Sequence, residues 1–254
     1  MPLVKMKKVW TYCTYNKPFF LLILLLYGIL NFFQDVYGDT GDGWILLIIF
    51  AVSILIIGYG MTITHDRINN GVRLPKIMIK EVMVLGVKSY IVFIVYLFIQ
   101  GSILDWISSP FNFPSFELEE MLLDLPNTLN MLISHNHVHA IIFVVVGTIL
   151  FYITSFFMEI AIARLADTGR ILSAFNFSGI KNNIETIGWL HYTKDYTLII
   201  LAIFLFGSLS YVEIPNIILN YIWIIILNFL IFVTQFLGIG AIYSEIKGNE
   251  SKWE

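Results

Sequence analysis

The chain has 254 residues, of which 58% are hydrophobic and only 13% charged, with a mean hydropathy of +0.81 and a formal net charge of -3. Soluble domains carry about 25% charged residues, so this composition excludes an ordinary water-soluble globule and points to a bilayer as the solvent. A single cysteine, Cys13, excludes an intramolecular disulfide and a thiolate metal site within one chain.

In chain order, apolar runs predict six membrane-spanning helices: Pro18 to Phe33, Trp44 to Thr64, Gly86 to Leu104, Ala140 to Ala163, Thr197 to Val212 and Ile217 to Tyr243. A span takes roughly 20 apolar residues, so the first and fifth are short. They must recruit flanking residues such as Val36 and Tyr37, or sit short beside tilted neighbours. The basic start could also introduce a signal peptide. No small-x-small cleavage site follows Leu30, where the chain reads Asn31-Phe32-Phe33-Gln34, so an uncleaved first helix is expected.

Threading these six segments through a bilayer puts all 15 Lys and Arg residues on one side. Basic residues in short loops stay cytoplasmic during insertion, which predicts a multi-pass protein of the cell membrane with both termini in the cytoplasm. The three opposite connections carry Asp35, Asp39, Asp42, Asp105, Glu117, Glu119, Glu120, Asp124 and Glu213 with no basic residue. The formal charge then divides into about +6 inside and about -9 outside. A basic inner face suits anionic headgroups, and an acidic outer face suits cations and basic partners.

The long inner connections share a pattern. One reads Arg67-Ile-Asn-Asn-Gly71-Val-Arg-Leu74-Pro75 and the other Arg164-Leu-Ala-Asp-Thr-Gly169-Arg-Ile-Leu172, with a fainter version at Glu245-Ile-Lys247-Gly248. Each glycine is expected to end a helix in the left-handed conformation. The recurrence is compatible with three repeated helical hairpins related by an axis along the membrane normal. Between Ile171 and Leu190, the apolar residues Phe175, Ile180, Ile184 and Ile187 alternate with Lys181, Asn182, Asn183 and Glu185, predicting one or two amphipathic interfacial helices. Outside, Phe116, Met121, Leu122 and Leu125 interleave with Glu117, Glu119, Glu120 and Asp124 between Pro114 and Pro126, predicting a short acidic amphipathic helix. Neither connection is long enough for a separate soluble domain, so residues 1-254 form a single transmembrane domain on this reading.

Around the second and third segments stand Gly58-Tyr59, Gly71, Leu74-Pro75, Gly86-Val87-Lys88 and Ile94-Val95-Tyr96. The second half adds Ala161-Ile-Ala163-Arg164 and Ala174-Phe175. In these residues the chain resembles an archaeal and bacterial polytopic membrane family catalogued as domain of unknown function family 4013, over most of its length. The resemblance implies an all-α integral membrane fold. Its glycine, Leu-Pro and small-residue positions mark helix ends and close packing, so it carries no chemistry across.

The sharpest chemical constellation is His135-Asn-His137-Val-His139, three of only five histidines. Imidazole ligates zinc and other transition metals, and His135 and His139 share one face of a helix, with Glu117, Glu119 and Glu120 available to complete a shell. The alternative is a wet polar linker that needs no cofactor. Glu159 is the acidic residue placed inside a span, one turn before Arg164. Such a group is either an ion-coupling carboxylate or half of an interface pair with Arg164 or Arg170. Asn31, Gln100, Asn220, Asn228 and Gln235 are candidates for hydrogen bonds between helices, and Gly238 and Gly240 for close helix packing.

The loop Gly38-Asp39-Thr-Gly41-Asp42-Gly43 lacks the spacing and terminal glutamate of a calcium loop and reads as a tight turn. His65-Asp66-Arg67 reads as part of the inner rim. No phosphate loop, nucleophile elbow, zinc-protease motif or nucleic-acid module occurs. Three functions fit: a non-catalytic scaffold, sensor or membrane-complex component; a carrier of a small or lipid-like solute; and a metal-dependent membrane enzyme at the outer histidines. The expected partners are the lipid bilayer, other membrane proteins or a second copy, and no nucleic acid.

Overall fold

In a bilayer core the backbone must satisfy its own polar groups, and a long apolar run does so by closing i to i+4 bonds. The computed structural model describes residues 11-13, 15-108, 137-212 and 214-247, with side chains for all of these except 137-140. Every regular element among them is helical. The chain is an all-α membrane protein with six helices long and apolar enough to span.

Helix α1 (Lys17–Thr40) starts with Pro18 in its first turn, where a missing N–H matters least. It runs past the expected end at Phe33 and takes in Val36 and Tyr37. Gly41 ends it at φ +69°, its N–H bonded to the Tyr37 carbonyl at 2.8 Å. After Asp42, α2 (Gly43–Ile68) begins at once, so the Gly38–Gly43 region is the tight turn its sequence implies. Helix α3 (Ile79–Ser108) and helix α4 (His137–Thr168) both exceed their predicted apolar cores.

The connection after α4 forms two short helices, α5 (Ile171–Ala174) and α6 (Phe177–Ile187). The latter buries Ile180 and Ile184 as its pattern requires. Gly188 at φ +94° turns the chain directly into α7 (Trp189–Leu209), which begins earlier than the predicted Thr197. The polar residues Tyr192, Thr193, Lys194 and Asp195 hid that start from a hydropathy reading. Asn216 caps α8 (Ile217–Ser244) by accepting from the N–H groups of Ile218 and Leu219, each at 3.1 Å. A 3-10 turn (Glu245–Lys247) follows.

The two expected glycine caps differ. Gly169 adopts φ +66° and donates to the Leu165 carbonyl at 2.8 Å, as predicted. At the end of α2 it is Asn70 that takes the left-handed conformation, at φ +61°, and Gly71 does not. Asparagine tolerates that region, so the turn closes one residue earlier than the glycine suggests. Gly248 lies outside the described residues.

The helices sort into two units: the residues up to Ile91 together with those from Glu159 onward, and Val92–Met158. In the second, a side chain added at Gly147 would meet Leu104 at 3.9 Å, so α3 and α4 run side by side there. In the first, α2 is the central helix, packed against α1 and α8 and crossed by the start of α3. Its buried residues occupy every face, from Ile45 to Ile68. The crossing with α3 is made by glycine on both sides. A Cβ on Gly58 would lie 1.9 Å from the Val82 carbonyl oxygen, and one on Gly86 would lie 2.2 Å from that of Ile54. Small residues that let backbones meet are the usual device of helix packing in lipid.

On the other side of α2, Gly60 lies under the Phe236 ring and Gly240 against Thr64 and Arg67. The Thr64 hydroxyl donates to the Phe236 carbonyl at 3.0 Å. Helices α1 and α8 join through Phe20 and Phe229, edge to face at 5.1 Å, and through Asn228 donating to Asn31 at 3.3 Å. Leu21, Leu25 and Phe32 of α1 and Leu198, Leu201 and Phe204 of α7 stay exposed, the arrangement expected of surfaces facing acyl chains.

Candidate functional site at the basic end of the bundle

The described Lys and Arg residues all belong to the first unit, and the antiparallel helices gather them at one end: Lys17, Arg67, Arg73, Lys76, Lys80, Lys88, Arg164, Arg170, Lys181, Lys194 and Lys247. Here α2 ends in an acidic residue that the chain reaches back to satisfy. The Tyr12 hydroxyl donates to Asp66 Oδ2 at 2.7 Å, and the Leu74 N–H donates to the Tyr12 carbonyl at 3.3 Å. Asn16 Nδ2 donates to the Leu74 carbonyl at 3.2 Å, and the Tyr59 hydroxyl to that of Pro75 at 2.8 Å.

Gly71 is required by this clasp. A Cβ on it would lie 1.7 Å from Asp66 Oδ2, and its N–H donates to the Asp66 carbonyl at 2.8 Å. Burial, and then the Asp66 carboxylate, push the Tyr12 phenol far above its ordinary value. Burial alone pushes the neighbouring Cys13 thiol up to about 12.

A second set of bonds ties α2 and α3 to the end of α4. His65 Nδ1 lies 2.9 Å from the Ala166 carbonyl oxygen. A carbonyl only accepts, so this nitrogen carries the proton. Lys88 Nζ donates to the Gly169 carbonyl at 2.7 Å. Lys247, beyond α8, pairs with Asp167 and reaches Asn69 Oδ1 at 3.4 Å. Asn183 of α6 donates to the Tyr243 hydroxyl at 3.1 Å. His65 and Asp66 therefore serve separate contacts of the rim.

Glu159 is 4% exposed and accepts from Gln235 Nε2 of α8 at 2.9 Å. It stands nine residues, about 13 Å of helix, before the end of α4. The expected pairing with Arg164 is replaced. Arg164 Nε donates to the Ser173 carbonyl at 3.1 Å, and its guanidinium lies over Gly179, where a Cβ would sit 2.5 Å from Nη2. Five residues of separation set Glu159 and Arg164 about 140° apart around α4, and the return of the chain through α5 supplies the arginine with the Ser173 carbonyl.

Of the outer histidines, His135 lies outside the described residues, as do Glu117, Glu119 and Glu120. His137 and His139 are in the first turn of α4, with their side chains outside what is described. The acidic amphipathic segment from Phe116 to Leu125 also lies outside. Sequence reasoning missed three residues that do converge: His191, Asp195 and Glu245. The i, i+4 spacing of the first two was visible. Glu245 comes from 54 residues away, so only the packing of α7 on α8 could bring it in.

Residues 43–214 match the model of a family described as protein of unknown function (DUF4013). No curated protein and no solved structure matches the chain.

Proposed function

The chain belongs to the DUF4013 family, and from that premise we propose that it is a non-catalytic multi-pass component of the cell membrane. On this reading both of its ends face the cytoplasm, and its basic end acts as a scaffold or sensor that docks another membrane protein. One observation carries this. Polar side chains of that end bond across the fold to backbone carbonyls and to one another, while Leu172, Phe177 and Leu190 stand exposed beside Arg170, Lys181 and Lys194. Apolar side chains rimmed by cations suit a protein or headgroup surface better than a reacting substrate.

The test is native mass spectrometry of the protein extracted in mild detergent from its own membranes. A protein partner at fixed stoichiometry, lost from a Leu172→Asp/Leu190→Asp variant, supports the scaffold. A lone chain or a homo-oligomer that retains a small molecule refutes it.

A second reading, a carrier, is favoured by Glu159, a buried carboxyl whose bonded partner is the neutral Gln235. Ion-coupled carriers keep such groups in their spans. In proteoliposomes holding a pH-reporting dye, a carrier of this kind passes protons down an imposed gradient and Glu159→Gln stops it. Identical traces from both proteins eliminate coupling through Glu159.

A further inference from the structure

We infer that His191, Asp195 and Glu245 form a binding site for a divalent transition-metal cation that joins the start of α7 to the end of α8. The inference is independent of the scaffold reading. His191 Nε2 lies 3.2 Å from Glu245 Oε2 and 3.6 Å from Asp195 Oδ2. One ligand atom from each residue falls within 4.8 Å of the others. Zinc bonds to nitrogen and oxygen of about 2.0–2.2 Å, arranged tetrahedrally, require ligand atoms about 3.4 Å apart. The two distances from the imidazole bracket that value, and the separation of the two carboxylates closes by side-chain rotation.

The frame around the three residues is already built. His191 and Asp195 occupy adjacent turns of α7, on either side of the fully buried Tyr192 and next to the fully buried Tyr196. Farther along, Gly238 meets Ile199 closely enough that an added Cβ would lie 2.7 Å from its side chain, which fixes α7 on α8. Glu245 follows Tyr243, which Asn183 holds.

Charge points the same way. Two carboxylates converge at an end of the molecule rich in cations, yet among the described residues neither pairs with a lysine or arginine. Lys247, the nearest cation in sequence to Glu245, is taken by Asp167. The imidazole is thus what faces both carboxylates, and a dication held by Nε2 and two carboxylate oxygens balances them. One imidazole with two carboxylates is a borderline-to-hard donor set that suits zinc, manganese or ferrous iron and not cuprous copper. All three side chains are half-open to solvent, with side-chain exposures of 51%, 33% and 46%, so water completes the shell. With water in an open position the site bridges two helices and remains accessible from the aqueous phase.

The experiment uses the full-length protein in detergent with His135, His137 and His139 replaced by Ala, which removes the competing histidines. Zinc is titrated by calorimetry, and cobalt by its visible absorption. One equivalent is expected, with affinity at least about tenfold weaker in His191→Ala and in Glu245→Gln. Zinc should also raise the thermal midpoint of the parent and not of Glu245→Gln. The Gln variant keeps a carbonyl acceptor for His191, so its fold can be verified by gel filtration. Absence of zinc binding in the parent, or binding unchanged in both variants, overturns the assignment.

Discussion

Replacing Gly58 with Ala places one methyl group where two backbones meet. Its Cβ would lie 1.9 Å from the Val82 carbonyl oxygen, 2.8 Å from the Val82 carbonyl carbon and 2.9 Å from the Gly86 nitrogen. None of these atoms can rotate aside. Helix α3 must therefore move away from α2 by about 1.5 Å or more to reach van der Waals separation, forfeiting part of the dispersion contact along the crossing. Overpacking of this kind costs about 1–3 kcal/mol, and a rigid neighbour puts it at the upper end. Alanine returns up to about 1 kcal/mol through better helix propensity, leaving a net loss of about 2 kcal/mol.

Gly207 of α7 is the matched control, because nothing lies within 4 Å of a Cβ there. Gly207→Ala should be neutral or stabilising by up to about 1 kcal/mol. The assay is reversible unfolding in mixed micelles as the mole fraction of dodecyl sulfate rises, followed by circular dichroism. Equal stability of Gly58→Ala and Gly207→Ala would refute the reasoning that backbone contact at this crossing holds α3 on α2.

Two further outcomes test the basic end. Cys13 is 1% exposed, with its thiol pushed from an ordinary value near 9 up to about 12. The folded state thus prefers the protonated thiol, so the stability from this group is complete below about pH 8.5 and declines as pH rises toward 12. Iodoacetamide at pH 9 should label Cys13 many-fold faster in dodecyl sulfate than in mild detergent, and equal rates would contradict its burial. Tyr12→Phe removes one hydrogen bond to a carboxylate and should lower stability by about 1.5–3 kcal/mol. Gly71→Ala drives a methyl group into the same carboxylate, and because both changes break one clasp their effects should be well short of additive in thermal melts.

Much of the architecture was legible because lipid imposes simple rules on sequence. The apolar runs marked six helices, and the lysines and arginines marked the ends that now lie together. Gly58 and Gly86 could be recognised as packing positions, although only the fold tells that each faces the other helix's backbone. Helix ends were read less well wherever a polar turn continues a helix, as at Trp189 to Tyr196 before the apolar part of α7. Partners distant in sequence were the least legible. Glu159 chose Gln235 on α8 over Arg164 on its own helix, because a hydrogen-bond partner depends on which helix lies alongside. The same limit hid Glu245 from His191 and Asp195.

The contact between α2 and α8 also has a consequence in time. The Thr64 bond to the Phe236 carbonyl joins positions 172 residues apart, and Gly240 closes on Thr64 and Arg67 at the same place. At about 5–20 residues per second, the ribosome takes on the order of ten seconds to make the intervening chain. Through that interval the flank of the central helix that α8 will cover, with its Thr64 hydroxyl, lacks this partner. This contact of the bundle therefore cannot form before α8 has been made. A slow codon run or a substitution that delays α8 should show itself as degradation of chains already inserted, before any loss of activity in those that finish.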